Sequence, residues 1–313
     1  MKQLDPGGLQ SLLKVALAVE KTTEGVQPLR FTMSVAWKGG IQTHPAGIRL
    51  ESVTDAEYFR MRVRLGKSQH PLARGAFDLF LDGRYFRSFI PDAPYTEGQV
   101  FAFGSALPPG PEKKLVLYFP TYRETEVLET ASDLELRPGA EYPGRILFLG
   151  DSITHGYGTT PGFNYAAQYA RHLGLDFVNL GIGGACFPDL LPEGLLKLDC
   201  CELVIAYGCN DTRAPDPLHD TERRLRALLA FAVREPWRIT VLSPCHNGHE
   251  KTEMAPVFAG VKNVIRQVVS EFPAVRFLDG FDAFPNEPEY FVDGTHLNTA
   301  GAARLAELLF KGA

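Results

Sequence analysis

The sequence predicts an α/β protein in two parts, an all-β sandwich over residues 1–140 followed by a parallel three-layer α/β/α domain over 141–313. Three observations lead there. Short runs of apolar–polar alternation fill the first 140 residues, with no long helical pattern after residue 25. The remainder alternates brief apolar runs with amphipathic segments of helical length, the signature of βα units and a parallel sheet. Between them, residues 137–144 (Arg-Pro-Gly-Ala-Glu-Tyr-Pro-Gly) have the proline and glycine content of a linker.

In the first part, Leu9, Leu12, Leu13 and Leu17 mark one face of a helix across residues 9–19. Asp5 ahead of that stretch and Lys14 within it are wrong for a secretory apolar segment. Strand-like runs follow at 30–37, 48–53, 58–65, 76–81, 85–90, 114–120 and 126–136. Asp82-Gly83 between two of them is a two-residue hairpin signal, since both central positions of a type I′ turn need positive φ. Many short strands with such turns imply a jelly-roll-like sandwich.

In the second part, strands are expected at 146–150, 176–181, 203–208, 237–243 and 275–279. Helices are expected at 163–173, 218–234, 254–271 and 298–311. Five strands with intervening helices predict a flavodoxin-like sheet, in which functional residues gather beyond the carboxyl ends of the strands.

Composition sets outer limits. Of 313 residues, 45% are hydrophobic and 22% charged, ordinary for a globular chain with room for two cores. A net charge of −5 gives no electrostatic footprint for nucleic acid. No apolar run reaches membrane-spanning length, so no membrane partner is expected. The five cysteines, Cys186, Cys200, Cys201, Cys209 and Cys245, lack the paired spacing of a disulfide framework. They fit a reducing, cytoplasmic compartment.

The chemistry lies in the second part. Gly150-Asp151-Ser152 ends the first apolar run and leaves a hydroxyl on the turn that follows. Gly208-Cys209-Asn210-Asp211 ends a later run, and the Asn210 amide is a donor that stays uncharged at any working pH. Between them, Asn179-Leu-Gly-Ile-Gly-Gly184 offers a backbone N–H with no side chain in the way at Gly184. Asp293-Gly-Thr-His296 places a carboxylate one turn from an imidazole. Singly, each is as well explained by a helix cap or a turn. In this order they supply the parts of nucleophilic acyl transfer: an alcohol, a base, a group that orients the base, and donors for an oxyanion.

This ordered set resembles the SGNH hydrolases, also called GDSL-type esterases, over roughly the last 170 residues. The resemblance implies Ser152 as nucleophile, His296 as base and Asp293 as its orienting carboxylate. It implies an oxyanion hole built from the Ser152 and Gly184 backbone N–H groups and the Asn210 side chain, with no cofactor and no metal. The Gly-x-Ser-x-Gly elbow of α/β-hydrolases is absent. Gly75-Ala-Phe-Asp-Leu-Phe80 is similar, with one extra residue and Phe for Tyr, to a Gly-x-Asp-Leu-Tyr motif ahead of some bacterial SGNH domains.

Three other motifs give way. The third glycine of a dinucleotide fingerprint would fall at Cys186. A phosphate loop ending at Gly66-Lys67-Ser68 would need glycine at Met61. Cys245-His-Asn-Gly-His-Glu250 lacks the helical His-Glu-x-x-His spacing of a zinc site and reads better as a substrate or lid loop.

The expectation is therefore a serine esterase releasing short, acetyl-type acyl groups from a carbohydrate or small-molecule ester. Transfer to a sugar hydroxyl by the same residues remains the alternative, and a carbohydrate-binding protein with a vestigial hydrolase domain is the alternative from another class. The β-domain, with Trp37 as its only tryptophan, is expected to wall the site or pair subunits of a homo-oligomer rather than to bind polysaccharide.

Overall fold

A computed structural model describes residues 1–311 apart from 17, 31–40, 69–74, 93–95, 190–197 and 247–251. The chain divides into two compact units. The first comprises Met1–Glu141 with Thr160–Gly162, and the second Tyr142–Thr159 with Phe163–Ala313.

The first unit begins with β1 (Lys2–Gln3), helix α1 (Pro6–Leu12), β2 (Leu13–Lys14), β3 (Ala18–Lys21) and β4 (Val26–Leu29). It continues with β5 (Arg49–Thr54), β6 (Tyr58–Ser68), β7 (Phe77–Leu81), β8 (Arg84–Phe89), β9 (Gln99–Ala106), β10 (Lys113–Tyr118) and β11 (Arg123–Ser132). These strands form two antiparallel sheets. One has the order β3-β4-β11-β6-β9 with β1 beside β11, and the other the order β2-β5-β10-β7-β8. From β4 to β11 the chain passes between the two sheets in the interleaved order of a jelly roll.

Alternation explains the packing. Phe59, Met61, Val63 and Leu65 of β6 face Phe77, Leu79 and Leu81 of β7 and Leu115 and Leu117 of β10 in a single core cluster. Each such side chain contributes about 1.5–3 kcal/mol by leaving water. The Phe77 ring meets Phe103 at 4.8 Å and Phe119 at 5.5 Å. The hairpin at Asp82-Gly83 has φ of 50° and 77°, as a type I′ turn demands.

Three expectations change here. The helix across 9–19 stops at Leu12, because Leu13 and Lys14 pair with Leu50 and Arg49 as a strand and Val15 turns the chain at φ 56°. Leu17 and most of the run at 30–37, including Trp37, lie outside the described residues. The long run at 126–136 stops being strand at Ser132, and β3, β4 and β9 are strands that the alternation did not mark. Gly66, Lys67 and Ser68 are the last residues of β6, paired strand rather than a phosphate loop.

The second unit carries β12 (Arg145–Gly150), α2 (Ser152–His155), α3 (Tyr165–Leu173), β13 (Asp176–Asn179), β14 (Glu202–Ala206) and α4 (Pro217–Ala232). It ends with β15 (Arg238–Leu242), α5 (Ala255–Ser270), β16 (Val275–Leu278), the short helix α6 (Gly280–Ala283) and α7 (Thr299–Lys311). All five strands pair in parallel in the order β13-β12-β14-β15-β16. This is the flavodoxin-like order, with its switch point between β12 and β14. Helix α3 packs against α7 and α4 against α5, the two pairs that the right-handed rule for parallel crossovers puts on opposite faces of the sheet. Strands buried on both faces are continuous apolar runs: Ile146, Leu147, Phe148 and Leu149 are all fully buried.

Within the first unit, Asp78 of β7 is fully buried and accepts two hydrogen bonds, from Ser88 Oγ at 2.5 Å and from the Gly162 N–H at 2.8 Å. A Cβ on Gly162 would lie 2.5 Å from the Phe80 ring, so only glycine allows this approach. Asp78→Ala leaves both donors without their acceptor and should destabilise the first unit by about 2–4 kcal/mol, measured by urea unfolding. A change below about 0.5 kcal/mol would show that these bonds carry little weight.

Candidate active site

The nucleophile candidate sits where β12 ends. A Cβ on Gly150 would fall 2.0 Å from Thr154 Oγ1 and 2.7 Å from the Ala206 carbonyl, so the strand can turn this tightly only at glycine. Asp151 caps the turn, its carboxyl accepting the Ile153 N–H at 3.0 Å. Ser152 is thereby the first residue of α2, and Gly156 closes that turn at φ 105° with its N–H on the Ser152 carbonyl.

The histidine is delivered by a tight loop. Asp293 Oδ1 accepts the N–H groups of Thr295 at 3.0 Å and His296 at 2.8 Å, with Gly294 at φ 80° between them. Oδ2 of the same carboxyl lies 2.8 Å from His296 Nδ1. The opposite ring nitrogen, Nε2, lies 2.9 Å from Ser152 Oγ. Burial alone would raise the Asp293 carboxyl, but the bonds from His296 and Thr295 outweigh it and hold it below the usual carboxylate range. An ionised Asp293 takes the proton on Nδ1 as a hydrogen-bond donor and leaves Nε2 with a lone pair for the Ser152 hydroxyl.

The oxyanion candidates lie on two neighbouring loops that follow β13 and β14. Asn179, at the end of β13, donates to the Thr154 carbonyl at 2.6 Å and accepts the Gly181 N–H at 2.9 Å, which ties this loop to α2. His155 adds a second tie, its Nδ1 accepting the Gly183 N–H at 3.4 Å. Gly184 has φ 74°, and no atom stands within 4 Å of where its Cβ would be. Asn210 donates one Nδ2 hydrogen to the Ala185 carbonyl at 3.1 Å, which leaves the second hydrogen of that amide as a further donor. Asp211, beside it, accepts the Phe187 N–H at 3.0 Å.

The structure therefore links Ser152, His296 and Asp293 directly and joins Gly184 and Asn210 through Ala185. It connects the Gly184 loop to the helix of Ser152 through His155 and Asn179. The sequence reading missed His155 and Asp211. Both adjoin motif residues, and that adjacency was the one signal available. Among the described residues, no group of three or more His, Cys, Asp or Glu side chains is arranged to hold a metal. Residues 247–250 of the loop after β15 lie outside those residues. Cys245, at the start of that loop, is buried, which pushes its thiol up to about 12. None of the five cysteines forms a disulfide.

Two buried carboxyls stand behind these loops. Burial and, to a lesser degree, Asp211 push Asp151 up to about 7 against its bond from Ile153. Burial pushes Asp211 up to about 6, opposed by the Phe187 N–H and by Arg224. A carboxyl whose folded pKa is raised keeps the protein stable at low pH and costs stability as pH rises toward that value. Relative to Asp151→Asn, which cannot ionise, the native protein should lose stability between about pH 4 and pH 7 and change little above. Thermal unfolding of both proteins across that range measures the difference; parallel curves would mean that Asp151 does not titrate there.

Known proteins resemble this chain at two levels, a family match and a shared fold. The GDSL-like lipase/acylhydrolase family matches residues 148–304, half of the chain. Among solved structures, a protein described as a GDSL-like lipase from Bacteroides ovatus superposes with a TM-score of 0.80 at 21% identity, over 99% of this chain and 96% of that one. A salicylyl-acyltransferase from a tetracycline biosynthetic pathway, SsfX3, gives 0.78 at 18% identity over 96% and 92%. A family two carbohydrate esterase from Clostridium thermocellum, an active-site mutant, gives 0.65 at 18% identity over 85% and 91%. No curated protein matches the sequence. The chain belongs to the GDSL-like lipase/acylhydrolase family.

Proposed function

We propose that the protein is an esterase that removes short acyl groups, acetyl foremost, from a carbohydrate or small-molecule ester by way of a Ser152 acyl-enzyme. The observation that carries this reading is the unbroken line from Asp293 Oδ2 through His296 to Ser152 Oγ, with contacts of 2.8 and 2.9 Å. In the first half-reaction, Ser152 Oγ attacks the ester carbonyl as His296 Nε2 takes its proton, and Asp293 stabilises the imidazolium. Negative charge forming on the carbonyl oxygen meets the N–H groups of Ser152, Gly184 and Asn210. Collapse of that intermediate expels the alcohol, which receives the proton from His296. Water then attacks the acyl-enzyme with His296 again as base, releasing the acid and restoring Ser152.

The carbohydrate preference draws support from the fold shared with the family two carbohydrate esterase. The likeness to SsfX3, an acyltransferase, favours a second reading in which a hydroxyl-bearing acceptor replaces water in the second half-reaction. Both share the acyl-enzyme and differ in what attacks it.

A series of nitrophenyl esters from acetyl to octanoyl, followed by acetylated mono- and oligosaccharides, tests the substrate class. kcat/KM should be highest for acetyl, and acetylated sugars should be deacetylated. A preference for octanoyl would overturn the short-chain reading, and product partitioning toward added alcohols over water would favour transfer. Asn210→Ala should lower kcat by about 10²–10³ with little change in KM, because its donor acts on charge present only in the transition state. A rise in KM at unchanged kcat would make Asn210 a ground-state binding residue.

A further inference from the structure

The turn that follows the nucleophile reads Gly156-Tyr157-Gly158, and both glycines have positive φ, 105° and 88°. A Cβ on Gly158 would lie 2.4 Å from the Leu297 carbonyl and 3.1 Å from Val292, so the turn approaches the histidine loop as closely as only glycine permits. Between the glycines, the Tyr157 N–H donates to the Ser152 carbonyl at 3.0 Å. The residue is 8% exposed, and its ring meets the His296 ring at 4.2 Å between centroids, with the planes inclined at 65°. One residue is thus fastened by its backbone to the nucleophile and by its ring to the base.

We propose that Tyr157 is a positioning residue that holds the His296 imidazole in its working orientation, above all while Ser152 is acylated. This rests on the reading of Ser152 and His296 given above. In the resting site His296 is held at both ends, by Asp293 at Nδ1 and by Ser152 at Nε2. Once Ser152 Oγ becomes an ester oxygen it can no longer donate to Nε2, and one of those two restraints is gone. A single hydrogen bond at Nδ1 leaves the ring free to swing about its Cβ–Cγ bond. The Tyr157 ring blocks that swing by contact and keeps water from that side of the imidazole. Nε2 therefore stays where the attacking water must lose its proton, a step that misplacement by about 1 Å can slow about a hundredfold.

The observed contact with His296 is made by the Tyr157 ring, so the test compares ringless variants with phenylalanine. Tyr157→Leu should lower kcat for nitrophenyl acetate about tenfold or more with KM within about twofold, and Tyr157→Phe should restore kcat to within about twofold of wild type. In rapid mixing, the leucine variant should give a larger acylation burst relative to its steady rate, since deacylation slows more than acylation. Circular dichroism and thermal unfolding establish that each variant is folded, and Tyr157→Met replaces leucine as the ringless variant if leucine prevents folding. Wild-type kcat in a folded ringless variant would overturn the proposal. A loss confined to KM, or a phenylalanine variant as impaired as the ringless one, would do the same. His296→Ala, measured alongside, separates the two levels: full activity there removes the triad reading itself, whereas an inactive His296→Ala beside an unimpaired Tyr157→Leu removes only the role of Tyr157.

Discussion

The site depends on one constraint, the parallel register of β12 between β13 and β14. Phe148 stands opposite Asn179 on one side, and Gly150 opposite Ala206 on the other. The three strands therefore expire at one edge, and each hands its chain to a loop there. A shift of one residue in either pairing would turn every side chain of that strand to the other face of the sheet. The fully buried apolar residues on both faces of β12 and β14 make such a shift costly, so the core of the sheet fixes the spacing of residues that lie beyond it.

Strand ends alone leave loops free, and a second set of interactions locks them. Asn179 and His155 tie the Gly183–Gly184 segment to α2, while Asn210 and Asp211 hold Ala185 and Phe187. These ties are mostly hydrogen bonds between side chains and backbone, in places where no regular ladder could run. Rigid donors suit the chemistry, since an oxyanion hole gains from groups already pointing at charge that appears only in the transition state. The raised Asp151 and Asp211 carboxyls show what this locking costs, because acids buried to anchor loops resist ionisation.

Much of this could be read from the sequence where a local signal and a tertiary requirement coincide. The strands of the second unit are buried on both faces, so their apolar runs stand out, and the observed ends lie within two residues of the expected ones. Ser152 and Asn210 come within a few residues of such runs, whereas His296, far beyond the last strand, was marked by Asp293 three residues before it. The signal failed where pairing overrode local preference. Leu13 and Lys14 look helical beside Leu9 and Leu12, yet the edge beside Arg49 and Leu50 takes them as strand. Pro28 masks β4, and β9 is largely exposed along its length, so neither shows clean alternation. Tyr157 was invisible for a different reason: a lone aromatic between two glycines has no period, and its meaning lies in His296, far along the chain.

What the account asserts above all is that the Ser152 hydroxyl is the group activated by His296. Inactivation by a fluorophosphonate, followed by intact mass and peptide mapping, addresses this most directly, because that reagent captures an activated serine and leaves an adduct at the reacting oxygen. The account predicts one adduct per chain, located on Ser152, forming quickly in the native protein and far more slowly in His296→Ala. An adduct on another residue, or labelling of Ser152 at the native rate without His296, would contradict it.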